Sequence, residues 1–435
     1  MFTHDLHVAV AKDGAHHRRS FLRRVSAGAA AAATLGFADV MRARAAELRQ
    51  RGMACIFLFQ QGGASQFESW DPKPGVDTGG PTQAIDTCLS GVRIAEHWPR
   101  VAAALDDLAI IRSMTGNEND HLRATYLLHT GYKINAGVKY PSLGSVAARE
   151  LGDPAFDLPG FVSVGPTTVP GPGFLGMSYA PLAVQDPEKM PRHVAMPRGL
   201  EVADLDRRLN LLDRLEVDYA ERGASRLVAD HRALYQTAAQ LVASPKLSVF
   251  DLERETEALR DRYGRNPVGQ GCLLARRLIE SGVTFVEVNS GGASAATNWD
   301  THRDNFEGVK RLAPPLDTGL TALVADLKAR GMLDRTLVVC LGEFGRTPAI
   351  NANTGRDHYQ RTFSIALAGA GVRGGQVLGA TDEKGVDVAD RPVTVQDLFR
   401  TIYQALGIDA GMENYSNGRP IVLVEGGQVV HELFS

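Results

Sequence analysis

Met53-Ala-Cys-Ile-Phe-Leu-Phe59 is a run of apolar residues with nothing polar to turn toward water on either side. A strand with one wet face alternates apolar and polar residues. An unbroken run is what a strand buried on both faces requires. Gly282-Val-Thr-Phe-Val-Glu-Val288, Thr336-Leu-Val-Val-Cys-Leu341, Thr362-Phe-Ser-Ile-Ala-Leu-Ala368 and the shorter Leu108-Ala-Ile-Ile-Arg112 read in the same way. Helical spacing separates them. Glu118 to Gly131, Leu316 to Arg330 and Thr394 to Leu406 each predict a helix, and Gly131 is a stop signal. Alternation of this kind implies an α/β fold, a mostly parallel central sheet with helices on both faces. Leu200 to Leu259 is helical and charge-laced, which places a helical insertion or cap around residues 200–265. The Gly-Pro-rich stretch from Pro154 to Pro197 has little periodicity and reads as a long surface loop.

Ligands of such sheets bind beyond the carboxyl ends of the strands. The polar clusters fall there: Gly62 to Asp71, Asn289 to Asn305 and Gly342 to His358 each follow an apolar run. Three loops rich in Asp, Glu, His, Asn and Arg are therefore expected to converge on one edge.

The 435 residues are 44% hydrophobic and 22% charged, enough to bury a large core as one unit. A net charge of −3 argues against a nucleic-acid partner or a polybasic membrane surface. No apolar run outside the first 50 residues is long enough to span a bilayer. Of the four cysteines, Cys55 and Cys340 lie in strand-like runs and are expected as buried thiols, while Cys88 and Cys272 are free to pair in an oxidising compartment. Residues 1–50 read as an export signal: Arg18-Arg19-Ser20-Phe21-Leu22-Arg23, then an alanine-rich stretch to Val40, then Ala43-Arg44-Ala45 as a small-x-small cleavage site. That pattern predicts passage through a twin-arginine translocase, a periplasmic location and a single folded domain over residues 51–435.

Thr336-Leu-Val-Val-Cys-Leu-Gly-Glu343-Phe-Gly resembles the strand and metal-site loop of alkaline phosphatases and sulfatases. Asp357-His358-Tyr, Gly379-Ala-Thr-Asp382 and Val395-Gln-Asp397-Leu-Phe follow in the same order as in that superfamily. The chain also resembles domain-of-unknown-function family 1501. The matching stretches are Gly62-Gly-Ala-Ser65, Trp70-Asp71-Pro-Lys-Pro74, Ile111-Arg-Ser-Met114, His129-Thr-Gly131, Pro141-Ser-Leu-Gly-Ser145, Trp299-Asp-Thr-His302 and Gly342-Glu-Phe-Gly-Arg-Thr-Pro348. The resemblance implies an alkaline-phosphatase-like three-layer fold and one or two divalent ions, with zinc, manganese or calcium as candidates. Those ions would neutralise an anionic phosphate or sulfate ester, free or on a glycan. By position, His358 matches a metal-binding His and Glu343 stands where an Asp ligand stands. Asp300 and His302 occupy the region of an earlier Asp/His pair, and Asp357 adjoins His358.

The chain departs from the superfamily at three points. Phe344 stands where a ligating His or Asn is usual, and a phenyl ring cannot ligate. Gln60-Gln61 replaces the acid expected after the first strand, leaving Glu68 or Asp71 to substitute. The nucleophile position reads Asn117-Glu-Asn-Asp-His121-Leu-Arg123, without Ser, Thr or Cys, so formylglycine chemistry has no substrate. His121 is then a nucleophile, a ligand or a helix-start cap, and Arg123 and Arg346 are candidates for clamping an anion. Gly62-Gly63 and Gly291-Gly292 could hold phosphate through their amides, although neither forms a nucleotide-binding pattern. Ser142 and Ser145 are expected to cap a helix. Three functions stay open: a metal-dependent ester hydrolase, a noncatalytic binding or envelope-assembly protein on the same fold, or a different transfer reaction on a sulfated or phosphorylated glycan. Changing Arg18 and Arg19 together to Lys should hold the precursor in the cytoplasm. Normal periplasmic yield of that variant on fractionation would exclude twin-arginine export.

Overall fold

The computed structural model describes residues 46–47, 49–166, 169–192, 194, 196, 199–292, 294 and 297–434. The chain divides into Met1–Gln50 and Arg51–Ser435, and the twin-arginine segment lies outside the described residues. The larger unit is built on nine strands: β1 Ala54–Phe59, β2 Ala109–Thr115, β3 Phe161–Val164, β4 Leu182–Val184, β5 Phe285–Asn289, β6 Thr336–Leu341, β7 Phe363–Ala368, β8 Gln376–Leu378 and β9 Val393–Thr394. Their spatial order is β8-β2-β7-β6-β1-β5-β3-β4, with β9 beside β2. The principal helices are α1 His121–Thr130, α2 Leu143–Leu151, α3 Val202–Tyr219, α4 Ser225–Ala243, α5 Pro267–Ser281, α6 Asn305–Ala329 and α7 Val395–Leu406.

Every residue of β1 and β6 is buried, as their unbroken apolar runs require. Alternate side chains of β1 enter two cores. Ala54, Ile56 and Leu58 pack with α5 and α6, and Cys55, Phe57 and Phe59 pack with α1, α2 and α7. The sheet is thus covered on both faces, which is the α/β architecture expected. All pairings are parallel except those of β7, which runs antiparallel to both β2 and β6. No long helix joins β6 to β7, and without a crossover helix a strand returns antiparallel beside its predecessor.

Three expectations need correction. The stretch from Pro154 to Pro197 is not only loop, because β3 and β4 extend the sheet from within it. Phe161-Val-Ser-Val164 is too short, between Gly and Pro, to show a period. The helix expected from Leu316 starts at Asn305 and runs through Pro314 and Pro315, which hide its first half from a reading of breakers. All four cysteines are free: Cys272 is enclosed by the core and Cys88 is exposed, so they do not pair. Ser142 caps α2 as expected, accepting from the Ser145 amide. No helix among the described residues is long and apolar enough to cross a membrane.

One buried ion pair ties α1 to the sheet. His129 Nε2 lies 3.1 Å from Glu287 Oε2, and His129 Nδ1 lies 2.7 Å from the Thr125 carbonyl. Both ring nitrogens face acceptors, so the ring is an imidazolium. Burial opposes that charge, but Glu287 outweighs it and raises the His129 pKa. A raised folded-state pKa adds stability that is full below the unfolded value of about 6.5 and is lost as pH rises through the folded value. Glu287→Gln should therefore cost about 3–5 kcal/mol in urea unfolding at pH 6. The deficit should shrink toward alkaline pH, and a deficit constant with pH would show the pair to be neutral.

Candidate metal centre

The loops that follow β1, β5 and β6 meet the first turn of α1 at the carboxyl edge of the sheet. Helix α1 starts at His121 because Asp120 caps it, its side chain accepting from the Arg123 amide at 3.2 Å. His121 is therefore not the cap, and its ring is available to the loops.

Glu343 lies two residues beyond β6 and is buried. Its carboxylate accepts from Gly62 N at 2.9 and 3.1 Å and from Gly63 N at 3.0 Å, while His121 Nδ1 lies 2.7 Å from Oε1. The two glycine amides thus hold an anion, as their sequence allowed, but that anion is the protein's own carboxylate. Both glycines have positive φ, 109° and 75°. A Cβ on Gly62 would stand 2.3 Å from Asp300 N, so only glycine lets these loops approach so closely. The Gly291 and Gly292 amides are also engaged, by Asn289 Oδ1 and the Thr297 carbonyl.

Asp300 and His302 project from the loop after β5. Trp299 anchors that loop: it is fully buried, its indole donates to Ser290 Oγ at 3.0 Å, and its amide donates to Gln61 O at 2.9 Å. His358 arrives on a short antiparallel ladder of Gly345–Arg346 with His358–Tyr359. Its Nδ1 is 2.8 Å from the Asn119 carbonyl. His302 Nδ1 is 2.7 Å from Asp357 Oδ1, which also accepts from Asn351 at 3.3 Å. The hydrogen bond from His302 holds the Asp357 pKa below its ordinary value.

These contacts fix the tautomers. A carbonyl or an ionised carboxylate only accepts, so Nδ1 donates in His121, His302 and His358. All three Nε2 atoms turn toward Asp300 Oδ1, where each ring holds a second proton or, once neutral, offers a lone pair. His302 and His358 place theirs 3.2 Å from it and 2.9 Å from each other. His121 Nε2 is 3.3 Å away and makes no hydrogen bond. His121, Asp300 and His358 offer ligand atoms within 4.8 Å of one another. Lone pairs crowd together in this way only with protons or a cation among them. Burial disfavours charge on His121, yet Asp300 and Glu343 together raise its pKa to about 9. Burial likewise opposes ionisation of Asp300, but His121, His358 and Arg346 hold its carboxyl well below the usual carboxylate range.

Of the remaining expected site residues, Arg346 touches the cluster and the others lie outside it. Arg346 is fully buried and contacts Asp300 Oδ1 at 2.7 Å. Its other bonds go to the carbonyls of Gly62, Gly63, Arg356 and Trp299, so it braces the loops and has no free fork for an anion. Arg123 is exposed and lies against Glu118 and Asp120, outside the cluster. Glu68 and Asp71 do not replace the missing acid. Glu68 is paired with Arg356 at 2.9 Å, and Asp71 with Lys73 at 3.0 Å. Phe344 packs its ring 4.5 Å from that of His358 and 5.1 Å from that of His121. The Asn119 carbonyl has no signal in the sequence, since any residue would supply it. In protein stripped with chelator, NMR should find His121 titrating near 9, and Asp300→Asn should lower that value. An ordinary imidazole titration in both proteins would contradict the geometry.

No curated protein matches the chain. Among solved structures, it is similar to the PsFucS1 sulfatase from Pseudoalteromonas sp. at 12% identity and TM-score 0.36, covering 85% of this chain and 72% of that one. It is also similar to a protein of the alkaline phosphatase superfamily from Vibrio parahaemolyticus, at 10% identity and TM-score 0.36, covering 85% and 76%. A third is the TAB5 alkaline phosphatase mutant with Mg bound, at 10% identity and TM-score 0.36, covering 82% and 98%. The sequence profile described as "Protein of unknown function (DUF1501)" matches residues 53–434, and the chain belongs to that family.

Proposed function

We propose that this chain is an exported, metal-dependent hydrolase of phosphate or sulfate esters, carried to the periplasm by the twin-arginine translocase. One observation supports the reading above all: three imidazole Nε2 atoms and one carboxylate oxygen converge, with every Nδ1 already committed to an acceptor. Histidines that bind metal are oriented in this way by carboxylates and carbonyls behind them. Asp300, His121, His302 and His358 are the residues that would hold the ion, and Glu343, Asp357 and the Asn119 carbonyl would orient the rings. This makes Glu343 and Asp357 supports rather than ligands, and His121 a ligand rather than a nucleophile.

The donors suit a borderline ion, zinc before manganese, and do not meet calcium's preference for an all-oxygen shell. When bound, such an ion supplies Lewis-acid polarisation of an ester oxygen and activation of water. Among the described residues no Ser, Thr or Cys side chain bonds to any of the four ligand side chains, so the attacking group is water. Direct attack forms the new bond to phosphorus as the ester bond breaks, and a chiral phosphate ester should be hydrolysed with inversion.

Elemental analysis of protein purified without chelator should find one ion per chain. His302→Ala and His358→Ala should each remove it, while Glu343→Gln should weaken binding about 10–100-fold by freeing the His121 ring. Each variant should lower the melting temperature more in loaded than in stripped protein, since ligand binding stabilises the native state by mass action. Arylphosphate, phosphodiester and arylsulfate substrates should be screened with zinc, manganese and calcium. Metal binding without turnover of any ester would favour the noncatalytic binding protein, and no metal at all would end the hydrolase reading.

A further inference from the structure

Helix α1 packs against the sheet through its second half. Its buried residues are Ala124, Leu127, Leu128, His129 and Thr130, while Leu122 and Arg123 beside His121 are exposed. Apolar contacts are non-directional, so Leu127 and Leu128 alone would let α1 turn or slide by small amounts. His129 is directional. Its ring is tied to α1 itself through the Thr125 carbonyl and lies against Phe57 and Phe59, with ring centroids 5.5 and 4.8 Å away. Its Nε2 reaches Glu287 of β5, the strand whose following loop carries Asp300. On the proposed reading of the cluster as a metal centre, we infer that the His129–Glu287 pair positions it. The pair sets α1 against β5 and thereby sets His121 against Asp300.

Stability alone is a poor reason for the pair. A buried ion pair is often no better than well-packed apolar side chains of the same volume. Here Glu287 Oε1 is fully buried and makes no hydrogen bond among the described residues, and its neighbours along β5 are Phe285, Val286 and Val288. What the pair adds over apolar packing is register. His121 and His129 are eight residues apart, about 12 Å along the helix axis. A turn of α1 by roughly 20° would carry a ring about 6 Å from that axis through about 2 Å. His121 Nδ1 lies 2.7 Å from Glu343 Oε1 and its Nε2 3.3 Å from Asp300 Oδ1, and neither contact survives such a shift.

Two variants of the full-length protein separate register from stability. His129→Leu with Glu287→Met replaces the pair by apolar side chains of similar size. Its urea midpoint should be no lower than that of the wild type, yet its zinc dissociation constant should rise about tenfold or more. Glu287→Gln should do the reverse. Its amide still donates to the Nε2 of a neutral His129, so zinc affinity should stay near that of the wild type although the urea midpoint falls. In stripped protein, proton NMR should show the His121 Nδ1–H held by Glu343 as a resolved downfield signal in the wild type and in Glu287→Gln, but not in the apolar variant. Unchanged zinc affinity and an unchanged N–H signal in a stable apolar variant would overturn the inference. So would Glu287→Gln losing zinc affinity in step with its stability, which decides the matter if the apolar variant does not fold. A wild type that binds no zinc, with the N–H signal still lost in the apolar variant, would sink the metal reading and leave the positioning of His121 standing.

Discussion

Glu343 is a buried carboxylate, and the candidate centre is assembled around neutralising it. Its oxygens take the Gly62 and Gly63 amides and face the His121 ring. One side chain therefore ties the loop after β1, the loop after β6 and the start of α1 to a common point. A charge so enclosed, if left unpaired, costs several kcal/mol, so these three segments are held together by the penalty for parting them. The positive φ of both glycines is the conformational condition for this. Any Cβ there would push the Asp300 loop or Phe344 away before the carboxylate could be reached.

Around this point the remaining charges are arranged to brace. Arg346 joins the carbonyls of three loops to Asp300, and Arg356, equally buried, joins Glu68 to the Thr347 and Pro348 carbonyls. Both guanidiniums lie within the segment that delivers Asp357 and His358. They fix that segment's path, and with it the position from which the His358 ring faces Asp300 Oδ1. The histidines are in turn positioned through Nδ1 by groups outside the cluster, so that each Nε2 is turned toward Asp300.

The sheet was legible because its strands are unbroken apolar runs, and β6 agrees with its run residue for residue. Convergence of the post-strand loops followed from the same pattern. What the sequence hid was of two kinds. β3 and β4 are too short to carry a period, and the prolines in α6 look like breakers although the helix continues through them. At the site, residue types could nominate Asp300, His302, Glu343 and His358 but could not say which of them face inward. That depends on partners: a glycine pair that binds Glu343 looks in sequence the same as one that binds phosphate. Arg346 shows the same limit, since a guanidinium that braces backbone carbonyls and one that clamps a substrate are the same residue in sequence.

These commitments also limit how the site can treat an anion. In many phosphate sites, charge on the nonbridging oxygens is met by free backbone amides at a turn and by an arginine fork. Here the Gly62, Gly63, Gly291 and Gly292 amides are spent on the protein's own acceptors, and Arg346 has no nitrogen to spare. Arg123 already lies against two carboxylates. On the proposed reading, an anionic ester entering the cluster would be neutralised chiefly by the cation that the three histidines and Asp300 would hold. Recognition in this fold would rest on the centre itself, so the integrity of Glu343 and its two glycines would set both binding of the ion and binding of the substrate.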